Sequence, residues 1–521
     1  MNEQVDVVVA GAGPVGLMLA CELGLAGIRT VVLERRTDID MTIKAGAVNH
    51  TTLQALDRRG LTPQLAEARE IMLAKMAEFR RQQATAPGPA PTGDKPAFRF
   101  IGHFGGIQLD GNNLDPHDPD LAAQARLADL GMVGQQQLEA ILEARARELG
   151  VDVRRGVTLE AFEDSGGGVV VTTDQGTITA GWLAGCDGGR STVRKLAGFD
   201  FPGTAPEITA YQSMVEMSGT EGLRPGWHAT ATGVYAFGPM PGRILVAEFG
   251  GTPADRTSPV TVDELQGAIR RVTGVEVTVH AITTATRFTD NARQATAYRK
   301  GRVLLAGDAA HVHSPFGGQG LNLGIGDAMN LGFKLAATIR GWAPEDLLET
   351  YTTERHPIGA RVLDWTRAQI AIMRPDAHAR AARAVFADLA TTVDGTTHLA
   401  KQLSGAWQRY DLGAGHPLVG RSAPDLDLSA GTRLSDHLHG GRSVLVDFGA
   451  GAGAGLRALA AGYDDRLDVV AADATGDLRG LLVRPDGIVV WASAPGAPLD
   501  GLAEALERWL GVRHEAAVAA A

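Results

Sequence analysis

At 521 residues the chain exceeds one ordinary core, so two to four domains are expected, and 44% hydrophobic against 21% charged residues is a globular balance rather than a disordered or fibrous one. A formal net charge of −11 argues against nucleic acid and anionic membrane surfaces as partners, leaving room only for a local basic pocket. Two cysteines, Cys21 and Cys186, exclude a disulfide framework or a cysteine metal cluster; no apolar run approaches the roughly 18 residues of a membrane span, and the start MNEQVD lacks a secretion signal's basic residues, so a cytoplasmic location is expected.

The first stretch, Val5 to Arg35, reads as strand, tight turn, helix, strand. Val5, Val7, Val8 and Val9 form the β-branched run of a strand buried on both faces, and Gly11-x-Gly13-x-x-Gly16 follows at once. Gly11 permits the turn, Gly13 lets a pyrophosphate approach the backbone, and Gly16 lets the helix pack close to the sheet. Val15, Leu19, Leu23 and Ala26 share one helical face, and Gly27 ends the helix. Glu34 closes the second strand, roughly twenty residues past the glycines, where a carboxylate suits a ribose hydroxyl pair. The pattern specifies a dinucleotide site without choosing between FAD and a nicotinamide.

Lys44 reads equally as a phosphate contact and as a solvated loop lysine. The stretch from Ala84 to Lys95 is so broken by Pro and Gly that a surface loop or lid edge is expected. Phe98 to Leu109 reads as two short strands with His103 and Phe104 at the turn, the histidine more in keeping with a structural than a catalytic role. Gln135 to Glu148 has helical spacing, its first glutamines at the end that would face a ligand. From Val151 strands lead into Gly185-Cys186-Asp187-Gly188-Gly189-Arg190, a strand end where an aspartate can bond a ligand while the chain turns. Phe201 to Phe288 alternates strand-like runs with Gly/Pro turns, predicting an antiparallel sheet on which a flat ligand could lie; Tyr211, His228, Phe237 and Met240 are its candidate substrate contacts, with core packing the competing reading.

A third motif follows. Val303 to Ala306 is a short buried strand, then come Gly307-Asp308, the loop Ser314 to Gly320, and a helix from Leu321 to Ile339 unusually rich in Gly and Ala. Those glycines lower helix propensity, so a close approach to sheet or ligand is expected to offset them. The loop's N–H groups and the helix start suit a ligand that gains negative charge, as a reduced flavin does. Helical spacing runs on to about Met373, with an end expected at Pro357, and resumes from His378 to Leu403. A compact last unit has the order β-α-β-β-β-α, resembling a thioredoxin-like domain, with no cysteine for thiol chemistry.

Together GAGPVG with Glu34, GCDGGRSTVR and LLAGDAAHVHSPFGGQGLNLGIGDAMNL resemble the FAD-dependent class A aromatic hydroxylases of the para-hydroxybenzoate hydroxylase superfamily. The tail, with phrases such as HFGG and AGFDFPGT, resembles the branch that oxygenates polycyclic aromatic polyketides in antibiotic pathways. The resemblance implies an α/β fold: a Rossmann-like FAD-binding domain (1–73, 125–200 and 286–370), an antiparallel-sheet substrate domain (74–124 and 201–285), a helical connection (371–405) and a thioredoxin-like domain (418–521). It assigns Gly11, Gly13, Pro14, Val15 and Gly16 to the pyrophosphate, Glu34 to the adenosine ribose, Asp308 to the ribityl or pyrophosphate region, and Pro315, Gly317, Gly318, Gly320, Leu321 and Asn322 to the isoalloxazine. Arg35, Gln135 and Asp187 join the cofactor contacts. Lys44 stands where the family often has arginine, so only a point-charge contact is available there. NADPH is implied as a transient reductant, and the implied chemistry is hydroxylation through a C4a-hydroperoxyflavin. No catalytic base is nominated, no metal is expected, and a monomer or homodimer is anticipated. Baeyer–Villiger oxygenation of a polyketide ketone and a non-catalytic flavin- or polyketide-binding scaffold are the alternatives.

Overall fold

The computed structural model describes residues 3–83, 98–253, 258–449, 453–473 and 478–513. The expected loop at 84–95 lies outside them. In chain order, the elements that position the site are β1 (Glu3–Ala10), α1 (Pro14–Leu25), β2 (Thr30–Glu34), β3 (Asp152–Arg155), β4 (Gly176–Gly185), β5 (Ile208–Ser218), β6 (Gly226–Ala229), β7 (Gly233–Phe237), β8 (Arg243–Phe249), α2 (Val262–Thr273), β9 (Thr278–Phe288), β10 (Val303–Leu305), α3 (Gln319–Arg340), α4 (Thr350–Met373) and α5 (Ala377–Leu389).

The parallel core of the eight-stranded first sheet runs β10-β4-β1-β2-β3, with Val8 opposite both Val31 and Leu183, and antiparallel strands are added at Arg299–Lys300, Leu159–Asp164 and Val169–Thr173. Val7, Val8 and Val9 are fully buried, which explains the unbroken β-branched run. Helix α1 is buried almost all round from Gly16 to Leu23 rather than along one stripe, because α3 covers the side that the sheet leaves. The glycines of α3 therefore answer to helices rather than to the sheet. A Cβ on Gly332 would come within 2.3 Å of Glu22 Cβ in α1, and one on Gly326 within 2.7 Å of Arg355 Nη2 in α4.

The second sheet has the order β6-β7-β8-β5-β9 and is antiparallel throughout. Its two faces differ. Tyr211, Val215, Tyr235, Ile244 and Val246 pack on Leu265, Ile269 and Val272 of α2. On the other face Ala210, Val234, Ala236, Leu245 and Ala247 pack with Phe316 and Met373, flanked by Trp227 and Phe288.

Helix α4 passes straight through Pro357 instead of ending there. Its neighbours Glu354 and Arg355 are fixed in buried ion pairs, Glu354 with Lys334 and Arg484, Arg355 with Asp327, and these hold the turn. The helical stretch after Met373 is two helices, α5 and Val393–Ser404. In the last unit, Ser443–Asp447 pairs in parallel with Leu467–Ala471 and antiparallel with Gly480–Val483, which pairs with Val489–Ser493; helices Gly453–Ala460 and Leu502–Leu510 complete the thioredoxin-like order. Arg484 carries this unit's charge into the first domain, bonding Glu354 at 2.9 and 2.8 Å.

Candidate flavin site and substrate face

The three glycine-rich motifs meet at the carboxyl ends of the parallel strands, where open α/β sheets bind ligands. A Cβ on Gly11 (φ +105°) would lie 2.5 Å from Cys186 O, and one on Gly16 only 2.0 Å from Gly11 O, so the first and second motifs are in backbone contact. Gly307 of the third motif, also at positive φ, stands against Val15 of the first. At Gly13, by contrast, a Cβ would meet nothing within 4 Å. That open side faces the start of α1, which has no side-chain cap and no acidic residue in its first turn. Free N–H groups and positive dipole there suit a pyrophosphate.

Glu34 sits where its spacing predicts, at the end of β2. One carboxylate oxygen accepts the Ala12 N–H at 2.9 Å and the other the Arg36 N–H at 3.0 Å, so it shapes the Gly-rich turn and stands beside it. Arg35 is exposed next to it. Asp187 caps the short helix Thr192–Leu196 through Oδ2, which accepts from Thr192 N (2.6 Å) and Val193 N (3.1 Å); its buried Oδ1 has no partner among the described residues. Asp308 is exposed and faces the start of α3, its Oδ1 being 3.8 Å from a Cβ built on Gly320.

The flavin-loop end is equally open. Gly317 (φ +82°) and Gly318 (φ +65°, the N-cap of α3) take left-handed conformations, and α3 begins with no side-chain cap. Pro315 and Gly318 are exposed, Gly320 and Leu321 half-buried. Asn322 differs from expectation, because its side chain is committed inside the protein. Its Oδ1 accepts Asn49 N (2.9 Å) and Thr52 Oγ1 (2.7 Å), and its Nδ2 donates to Gly318 O (2.7 Å). It holds the loop's shape and leaves only backbone for a ligand.

Two more residues are engaged elsewhere. Lys44 is paired with Asp40 at 2.9 Å, so its ammonium is already neutralised. Gln135 donates its side-chain amide to Glu139 at 2.8 Å, and burial raises the pKa of that carboxyl. Its neighbour Gln136 donates Nε2 to Thr42 O at 2.6 Å and so fixes the segment carrying Lys44. That segment closes over the second sheet, where Thr284 Oγ1 accepts Ile43 N–H (3.2 Å) and Thr286 Oγ1 donates to Ile43 O (3.2 Å).

Of the expected substrate contacts, Tyr211, His228 and Phe237 lie on the face packed against α2, and Met240 lies in a turn. Tyr211 donates to Glu264 of α2 at 2.9 Å, His228 stacks on Tyr235 with ring centroids 5.0 Å apart, and Phe237 joins the core over α2. Met240 belongs to the turn before β8, its carbonyl accepting Arg243 N–H at 3.1 Å. Period-two alternation puts the neighbours Trp227, Gln212 and Arg243 on the opposite face, the one that packs with Phe316. Trp227 lies edge-on to Phe316 (5.9 Å) and 4.1 Å from the His103 ring, and Phe288 lies 6.0 Å from Phe316.

Sequence reasoning missed two supports. Gln369 of α4 accepts Gly105 N–H at 2.9 Å and donates to Phe316 O at 3.2 Å, tying the HFGG turn to the flavin loop. Asp327 of α3 accepts Gly307 N–H (3.0 Å), a ring nitrogen of His311 (2.7 Å) and Arg355 Nε (2.8 Å). Burial works to raise its pKa, yet His311 and Arg355 hold it below the usual carboxylate range. Nothing in their spacing signals either role, since both partners are distant in sequence.

An FAD molecule fits this donor set: a long cradle with an open pyrophosphate position, a carboxylate oxygen at Asp187 with no partner among the described residues, an exposed carboxylate at Asp308, and a second uncapped helix start. Residues 4–366 match the FAD binding domain family, and residues 416–512 match the aromatic-ring hydroxylase C-terminal family. The chain is 40% identical over 537 residues to 12-dehydrotetracycline 5-monooxygenase/anhydrotetracycline 6-monooxygenase of Streptomyces rimosus subsp. rimosus, covering 97% of this chain and 99% of that one. It is 38% identical to the dialkyldecalin synthase of Streptomyces rugosporus, covering 97% and 98%. The solved structure of CabE, an aromatic hydroxylase from angucycline biosynthesis, is similar with a TM-score of 0.81 at 36% identity, covering 98% of this chain and all of that one. The chain belongs to the class A flavoprotein aromatic hydroxylases, in the branch of the polyketide monooxygenases, and is a flavin-dependent monooxygenase.

Proposed function

We propose that this enzyme hydroxylates a polycyclic aromatic polyketide in an antibiotic pathway, with NADPH as the transient reductant of its FAD. The observation that carries the reading is the second sheet's flavin-side face. Ala210, Ala236 and Ala247 lie buried in one apolar cluster with Phe316 of the flavin loop, Ile370 and Met373, and the partly buried Trp227 and Phe288 border it. The bordering aromatic edges give flat walls, which suits a fused planar ring system. When bound, FAD supplies electron acceptance from NADPH and activation of O₂ for transfer of one oxygen atom.

The protein's own part is positional. Gly11 to Gly16, Glu34 and Asp187 hold the dinucleotide end, Asp308 the middle, and Pro315 to Leu321 present backbone N–H groups to the ring end. Gln369 keeps the HFGG turn against that loop, and the segment held by Gln136, Thr284 and Thr286 covers the opposite side, so water is kept from the reacting face. The discontinuous division into a FAD-binding domain, a sheet domain and a thioredoxin-like tail belongs to the same reading.

The test is oxygen labelling. Holoenzyme, NADPH and isotopically heavy O₂ are incubated with a panel of hydroxylated tricyclic and tetracyclic polyketides. One heavy oxygen atom in a new phenolic hydroxyl is expected. A ring-expanded lactone would instead indicate Baeyer–Villiger chemistry. Because a relative of similar identity is named a dialkyldecalin synthase, oxygen consumption is read alongside. Conversion of a substrate with neither NADPH nor oxygen consumed would overturn the reading.

A further inference from the structure

Two guanidinium groups at the substrate face have no carboxylate counter-ion among the described residues. Arg243 begins β8, on the same face as Leu245 and Ala247 and cross-strand from Met214. Its Nη1 donates to Gly238 O at 3.1 Å, and burial lowers its pKa with no carboxylate opposing the effect. Arg383, from α5, donates to Gly105 O, and its Nη2 lies 3.5 Å from a Cβ built on Gly106, a position that also touches Trp227. Its pKa too is lowered by burial alone. Neither arginine pairs with a carboxylate among the described residues, whereas Arg271 and Arg287 of the same domain pair with Glu248 and Glu264.

His103 stands within reach of both charges. Its ring is stacked 4.1 Å from Trp227, and its Nδ1 accepts Gly106 N–H at 3.1 Å, so the ring proton belongs on Nε2. Burial, then Arg243 and Arg383, push its pKa down to about 3, which keeps it a neutral donor. Lys44, a further cation near this face, is already held by Asp40.

Burying unpaired cations costs stability, and a site that binds the missing anion recovers it. The geometry points to an oxyanion subsite at the substrate face: Arg243 and Arg383, with His103 Nε2–H as third donor, bind an ionised oxygen group on the planar substrate. The inference rests on the proposed hydroxylase reading only in placing an aromatic ligand on the Trp227 face. The anionic oxygen comes either from an acidic phenol or enol of the ring system, its proton released to water, or from a ring carboxylate. Guanidinium forks recognise both.

Hydroxyanthraquinones change colour when they lose the ring proton, so the holoenzyme can be titrated with a dihydroxyanthraquinone, its O-methyl ether and an anthraquinone carboxylate. An opposite charge within a few ångströms lowers an acid's pKa by about 1 to 3, so the bound dihydroxy probe ionises well below the pH at which the free probe does, or the carboxylate probe binds at least ~10-fold tighter than the ether. The first result assigns the subsite to a phenol or enol, the second to a carboxylate. Arg243→Gln and Arg383→Gln return the probe toward its free behaviour, while Arg243→Lys and Arg383→Lys keep most of the effect because the charge remains. FAD content and melting temperature check that each variant is folded, and the three wild-type titrations stand without any variant. Equal binding of all three probes with no change in ionisation, or Gln variants that match the wild type, overturns the subsite. A holoenzyme that ionises the probe but is never bleached by NADPH keeps the subsite and removes the hydroxylase reading.

Discussion

Gly324 of α3 lies so close to Val15 of α1 that a Cβ on the glycine would stand 2.4 Å from Val15 Cγ2 and 3.2 Å from Gly307 Cα. One glycine thus sets the spacing among the start of the Rossmann helix, the Gly307-Asp308 turn and the helix that begins at the flavin loop. Gly324→Ala is expected to cost about 1–3 kcal/mol by overpacking, exceeding the roughly 1 kcal/mol that helix propensity returns, and to weaken FAD binding. Val15→Ala in the same chain makes room and should restore part of both. Thermal melts with FAD titration of the single and double variants check this; additive losses would show that the two residues do not share the space.

Gly318 makes the opposite case. A Cβ there would meet nothing within 4 Å, but φ is +65°, where a β-branched residue is strongly strained. Gly318→Val should therefore reshape the loop, not the core. We expect a melting temperature of the apo-protein close to wild type, with FAD affinity reduced or NADPH oxidation uncoupled from product; unchanged coupled turnover would contradict the loop's role.

The choice of face is testable in one pair of variants. Trp227→Ala removes an aromatic border on the flavin side, so KM for the aromatic substrate should rise about ten-fold or more, in line with the loss of a buried aromatic contact. His228→Ala, next in sequence but on the α2 side, should leave KM unchanged within about two-fold. Steady-state kinetics with the substrate found by oxygen labelling separates them, and the reverse ranking would restore the sequence-based assignment.

The buried link to the last domain predicts an acid sensitivity. Glu354 accepts both Arg484 nitrogens, Asn330 (2.7 Å) and Lys334 (3.0 Å). Burial works to raise its pKa, but Arg484 and Lys334 hold it far below the usual range. A depressed folded-state pKa means that the stabilisation is full above about pH 4.5, the unfolded value, and is lost as pH falls through the folded one. Glu354→Gln should lose about 3–5 kcal/mol at pH 7, because it strands buried cations, and should show less further loss between pH 5 and 3 than the wild type. Melting temperatures across that range decide it; parallel curves for the two proteins would contradict the assignment.

What the sequence discloses follows the range of the interactions involved. Val7 to Val9, Gly11, Gly16 and Glu34 are local to one βαβ unit, and each stands where its spacing puts it. The thioredoxin-like order is likewise carried by contiguous strands. The faces of the second sheet were legible only through α2, which the strand pattern overlooks although its signals are present. Thr261 caps it, Asp263 and Glu264 open it, Leu265, Ala268, Ile269 and Val272 share one face, and Gly274 ends it at φ +69°. Without that helix nothing tells which side of the alternation is buried, so Tyr211, His228 and Phe237 are chosen over Trp227 and Arg243. The engagement of Asn322 depends on Thr52, 270 residues away, which spacing does not encode, whereas Lys44 with Asp40 and Gln135 with Glu139 are four residues apart and could have been read as local pairs.

The central claim is that three distant motifs form one FAD site that runs oxygen chemistry. It is tested most directly by titrating the purified holoprotein with NADPH in the absence of oxygen, then admitting oxygen with and without an aromatic polyketide. The account predicts one FAD per chain, bleaching by NADPH that the polyketide accelerates, and return of the oxidised spectrum with one oxygenated product per NADPH. A colourless protein that takes up no FAD, or a yellow one that NADPH never bleaches with or without the polyketide, would contradict it.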